Sequence, residues 1–120
     1  MHERVRFIDH KGKRILFIDL TGCTAQQIEE ITAEVQQVVT SQPAKSVLSL
    51  SDWTGAQISR SLAERIKTTL VFDLPHVKRT AFVGVENVPK VFLDAFKTFS
   101  RRDFTTFPTL DEAKDWLVGE

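Results

Sequence analysis

Arg14-Ile15-Leu16-Phe17-Ile18-Asp19-Leu20 carries apolar side chains on both of its faces, as a strand covered on both sides of a sheet must. A second β-rich run, Val5 to Ile8, precedes it across His10-Lys11-Gly12, where the glycine suits a tight reversal, so the chain opens on a hairpin. After the quoted strand, Thr24 and Gln27 form a capping-box pattern, and Ile28, Ile31, Val35, Val38 and Val39 mark one helical stripe. That helix must stop before Pro43, because the residue before a proline disfavours the α region.

The alternation continues to the end of the chain. Ser46 to Leu50 reads as a strand, followed by the polar loop Ser51 to Gly55 and a second helix striped by Ile58, Leu62, Ile66 and Leu70 that ends near Leu74-Pro75. Arg79 to Val85 is the next strand, and Asn87 and Pro89 open a third helix with Phe92, Ala95, Phe96 and Phe99 on one face. Phe104 to Phe107 forms the last strand, and Thr109 with Glu112 caps a last helix bearing Leu110, Ala113, Trp116 and Leu117. The order is β-β-α-β-α-β-α-β-α: an α/β domain spanning 1–120, with a mostly parallel five-stranded sheet and four helices. No linker, repeat or low-complexity segment divides it.

Composition excludes several classes of function. The 120 residues hold 16 Lys+Arg against 16 Asp+Glu, and this zero net charge argues against a general nucleic-acid binder. One cysteine, Cys23, rules out an internal disulfide and a multi-cysteine metal site, and fits a reducing compartment. Met1-His2-Glu3-Arg4 lacks the apolar run of a signal peptide, and no apolar stretch approaches a membrane span. The expectation is a cytoplasmic protein, at most peripheral to a membrane. No phosphate-binding glycine loop, zinc spacing or nucleophile elbow occurs, and no cofactor is called for.

Element order, together with Arg14-Ile15-Leu16-Phe17-Ile18-Asp19, Lys78-Arg79-Thr80-Ala81-Phe82-Val83-Gly84 and the run from Phe104 through Thr109-Leu110-Asp111-Glu112-Ala113 to Trp116-Leu117, resembles the STAS superfamily in its SpoIIAA-like single-domain branch. The resemblance implies a domain that acts by binding or regulation rather than catalysis. In the anti-sigma-factor antagonists of that superfamily, a serine in an Asp-Ser-Ser-Gly motif at a helix start is phosphorylated. Matching the strands brings Gln57-Ile58-Ser59-Arg60 opposite it, with Ser59 near the phosphoserine position and the motif's Asp and Gly absent. Thr54, Ser59 and Ser61 also read simply as helix caps.

Candidate sites follow from the parallel sheet. Ligands in such folds bind outside the carboxyl ends of the strands. That rim should gather Asp19, Thr21, Cys23, Asp52, Trp53, Thr54, Glu86 and Asn87, while His10 and His76 belong at the other end. Asp19, Asp52 and Glu86 could serve acid–base chemistry in a small enzyme or hold a hard cation, or simply cap helix N-termini and offset their dipoles. Lys13, Arg14, Lys78, Arg79, Arg101 and Arg102 precede strands and should collect at the amino-end rim, either offsetting helix dipoles or docking onto an anionic membrane surface or an acidic partner. Phe72, Phe92 and Phe96, with Asp52, Trp53 and Thr54, are candidates for holding an apolar ligand between the second and third helices. A protein partner acting through Asp52 to Ser61, or a second copy of the chain, are the further expectations.

Overall fold

The computed structural model describes residues 3–86, 88–90, 93–94 and 104–119. Five strands form one sheet in the order β1-β2-β3-β4-β5: Val5–His10, Lys13–Asp19, Val47–Asp52, Val77–Val83 and Phe104–Phe107. β1 is antiparallel to β2 and every later pairing is parallel. Among the described residues there are three α-helices, α1 (Ala25–Thr40), α2 (Arg60–Asp73) and α3 (Leu110–Val118), with a 3-10 turn at Leu74–His76. Of the expected third helix, Lys90 and the pair Leu93–Asp94 are helical; Phe92, Phe96, Arg101 and Arg102 lie outside the described residues.

Several boundaries move from the sequence reading. The hairpin reverses on Lys11 and Gly12 alone, with φ of 51° and 81°, leaving His10 paired with Lys13 at the strand ends. Positive φ at both central residues is what a two-residue turn of matching twist demands. β3 runs on through Ser51 and Asp52, so these residues belong to the sheet and not to a polar loop. β4 starts at Val77, two residues early, which places Lys78 and Arg79 inside the strand; Lys13 and Arg14 likewise lie inside β2. Apolar residues alone do not mark these ends, because the backbone ladder continues under polar side chains wherever a neighbouring strand supplies partners.

Two apolar layers sandwich the sheet. On one face, Val5, Leu16, Ile18 and Phe82 meet Ile28, Ile31, Val35 and Val39 of α1 and Leu62 and Ile66 of α2. Thr24 caps α1 through the reciprocal box with Gln27, and the buried positions follow the expected stripe. β3 turns the small residues Ser49 and Ser51 toward this layer and Leu48 and Leu50 toward the other. On that opposite face, Ile15, Phe17, Leu48, Leu50, Ala81 and Val83 are covered by α3 through Ala113 and Leu117. No helix among the described residues is long and apolar enough to cross a membrane.

A nine-residue helix thus seals one face through few fully buried side chains. Leu117→Ala should therefore cost about 3 kcal/mol, the usual range for emptying a buried leucine site. Urea denaturation of the two proteins measures it; a difference below about 1 kcal/mol would mean that α3 does not seal the sheet.

Candidate functional site

Asp19 and Asp52 end neighbouring parallel strands in register, and their side chains point to the α3 face of the sheet. Each closes the turn that follows it. Asp19 Oδ1 accepts from the Thr21 amide at 3.0 Å and the Thr21 hydroxyl at 2.6 Å. Asp52 Oδ1 accepts from the Thr54 amide at 3.0 Å and the Thr54 hydroxyl at 2.7 Å. The Cys23 amide then donates to the Leu20 carbonyl, and the Ala56 amide to the Trp53 carbonyl. In both four-residue turns the third position is a glycine with positive φ, Gly22 at 65° and Gly55 at 71°, where a side chain would be strained. Asp19-Leu20-Thr21-Gly22 and Asp52-Trp53-Thr54-Gly55 are one motif used twice. Four residues are too short to register as a long-period repeat, and the signal in the sequence is Asp-x-Thr-Gly directly after two apolar strands.

The turns are tied to each other. Leu20 and Gly22 amides donate to the carbonyls of Asp52 and Thr54, the Gln57 amide to that of Cys23, and the Trp53 amide to that of Val83. Arg4 reaches in from the start of the chain, donating to the Thr21 carbonyl at 3.0 Å and lying 3.7 Å from the Asp19 carboxylate. Partial burial pushes the Asp19 carboxyl up, but the Thr21 hydroxyl and amide with the Arg4 charge outweigh it and hold it below the ordinary value. Both acids therefore act as turn-closing acceptors. Glu86 is exposed further out on the same rim, and among the described residues no group of acids, histidines and cysteine is placed to hold a metal ion.

Other candidates fall into place around this platform. Trp53 is 4% exposed and packs 5.3 Å from the Phe82 ring, so it is core and not an exposed ligand contact. Cys23 is buried, and burial pushes its thiol up, away from the reactive range. Ser59 is the cap of α2: its hydroxyl accepts from the Leu62 amide at 3.1 Å and lies 3.3 Å from the Ser61 hydroxyl, at an exposed position. Phe72 lies in α2, with its side chain outside the described residues. A groove of about 180 Å³ lies between α1 and α2, over Leu62 and Ile66 and under the Glu29–Arg65 ion pair. Its lining includes Thr32 and Gln36 and is not the apolar cavity expected between the second and third helices.

At the amino-end rim, Arg79 donates to the carbonyls of Trp116 and Gly119 at 2.7 and 2.8 Å, and Lys13 to that of Val118 at 3.1 Å. These two cations hold the C-terminal end of α3, where the helix dipole is negative. His10 and Lys11 both bond Asp115, and those hydrogen bonds keep its carboxyl below the ordinary range. Arg14 is exposed, stacked 3.9 Å above the Phe7 ring and bonded to Gln42. Lys45 and Lys78 are exposed as well.

No family model and no curated protein matches this sequence. Among solved structures, it is similar to an uncharacterized protein of the DUF3478 family with a SpoIIAA-like fold from Shewanella loihica PV-4, at 17% identity and a TM-score of 0.70. The match covers 94% of this chain and 91% of that one. The chain has a SpoIIAA-like fold.

The closeness of the turns gives a direct check. A Cβ on Gly84, φ 72°, would lie 2.6 Å from the Thr54 amide nitrogen and 3.0 Å from Asp52 Oδ1, whereas a Cβ on Gly12, φ 81°, would meet nothing within 4 Å. Gly12→Ala should cost roughly 1 kcal/mol for the backbone alone, and Gly84→Ala at least about 2 kcal/mol more. Equal losses in chemical denaturation would show that β4 does not press on the Asp52 turn.

Proposed function

We propose that this chain is a non-catalytic binding or regulatory module that docks through its amino-end rim onto an anionic membrane surface. The observation that carries the reading is the sorting of charge. The chain is neutral overall, yet Lys11, Lys13, Arg14, Lys45, Lys78 and Arg79 occupy the amino ends of the strands and the adjoining turns. Against them, among the described residues, stand Asp9, Asp115 and the buried Asp73. Lys45 and Lys78 are exposed, as is Arg14, although it stacks on Phe7 and bonds Gln42. The opposite rim spends its two strand-end acids on closing turns, which suits a rigid scaffold better than proton transfer.

Sedimentation with vesicles of phosphatidylglycerol and phosphatidylcholine tests this. The protein should pellet with the anionic vesicles at low salt, remain in solution with phosphatidylcholine alone, and be released by about 0.5 M salt. The double reversal Arg14→Glu/Lys78→Glu, at two exposed positions, should weaken vesicle binding on the order of a hundredfold. Equal and negligible pelleting with both kinds of vesicle sinks the reading.

Ser59 supports a second reading, a phosphorylation-controlled protein contact. Its hydroxyl is exposed at the N-terminus of α2, where an added phosphate would keep an acceptor for the Leu62 amide and gain from the helix dipole. Mass spectrometry of the protein purified from its own cells should then find Ser59 phosphorylated. Complete peptide coverage with unmodified Ser59 under all growth conditions counts against it.

A further inference from the structure

Asp73 ends α2 and is 7% exposed, the buried charged residue among those described. Its Oδ1 is shut off from water with no hydrogen-bond partner. It also stands at a helix C-terminus, where the peptide dipoles oppose a negative charge. The turn that follows is stitched to the segment joining α1 to β3. The Lys45 and Ser46 amides donate to the carbonyls of Pro75 and His76, each at 3.0 Å, and His76 Nδ1 donates to the Gln42 carbonyl at 2.7 Å. That last bond fixes the proton on Nδ1 in the neutral ring.

We propose that Asp73 makes this turn a proton-operated latch. With the carboxyl neutral, the turn packs and holds residues 42–46; with the carboxyl ionised, the turn opens to hydrate it and lets them go. An ionised carboxylate with one oxygen shut off from water and unbonded is costly to keep buried, and the nearest route to water is local opening of the helix end. Burial pushes the carboxyl up to about 7, and the His76 charge on the same turn pulls the other way. Among the described residues, His76 is the charged group whose field reaches it. Lys45 and Lys78, on the stitched segment and at the start of β4, are exposed, and on α1 Glu29 is engaged with Arg65, about two turns up α2 from Asp73.

The direction follows from the raised value. A carboxyl that ionises at 3.8 when hydrated and near 7 when buried favours the closed turn at low pH. Opening should grow by about tenfold per pH unit between those values and level off above the upper one.

Native-state amide exchange on the full chain, corrected for intrinsic rates, tests the latch. Protection of Lys45 and Ser46 should fall about tenfold per unit from pH 5 to pH 7 and then flatten, with the Asp73 carboxyl carbon signal titrating at the upper midpoint. Exchange at both amides should be insensitive to about 1 M urea, the mark of local opening. Asp73→Asn should abolish the pH dependence, and His76→Gln should move the midpoint upward. The latch is overturned if Asp73 titrates in the ordinary carboxylate range, if the two amides keep constant protection, if their pH dependence survives in Asp73→Asn, or if they exchange with the core in step with urea. The carboxyl titration of the unaltered protein stands whether or not the variants fold.

Discussion

The amides of Leu20, Gly22 and Trp53 continue the parallel ladder past the last residues of the strands, bonding Asp52, Thr54 and Val83 carbonyls. Everything else in the molecule depends on that common direction. Parallel neighbours require a crossover, which α1 and α2 supply, and each crossover sets a helix N-terminus beside the carboxyl ends and a helix C-terminus beside the amino ends. Acids at one rim and cations at the other are then the arrangement with the least electrostatic conflict. Arg79 and Lys13 on the α3 carbonyls are its clearest instance.

Much of this was legible in the residues because it rests on period. The α1 stripe from Ile28 to Val39, the Thr24 and Thr109 caps and the doubly apolar Ile15 to Ile18 run are local signals that tertiary contacts reinforce. What escaped was set by neighbours. Ser51 and Asp52 look like loop residues, yet β2 and β4 on either side supply their backbone partners. Trp53 in a polar run looks like an exposed contact, but turn closure by Asp52 and Thr54 swings it onto Phe82 in the core. The doubled Asp-x-Thr-Gly motif acquires its meaning only once β2 and β3 lie side by side.

Ser59 fills a structural role that leaves room for the phosphorylation proposed for it. Its hydroxyl caps α2 and remains exposed. The two roles do not conflict, since a phosphate retains an oxygen for the Leu62 amide. The position was readable by aligning strands and by its capping chemistry alike, whereas Thr54, an equally good cap by type, is drawn away to Asp52.

Three aspartates mark what position does to a single side-chain chemistry. Asp19 and Asp52 end strands where amides and hydroxyls converge, so each carboxylate is met by two donors from its own turn, and at Asp19 these donors with Arg4 favour the charged form. Asp73 ends a helix, where carbonyls converge instead, and its Oδ1 finds no donor. Asp19 at its strand end and Asp73 at its helix end therefore have opposite protonation preferences in the same fold. The first two lend rigidity to the carboxyl-end platform. The third stores an unfavourable interaction at a turn that ties α2 to the entry of β3.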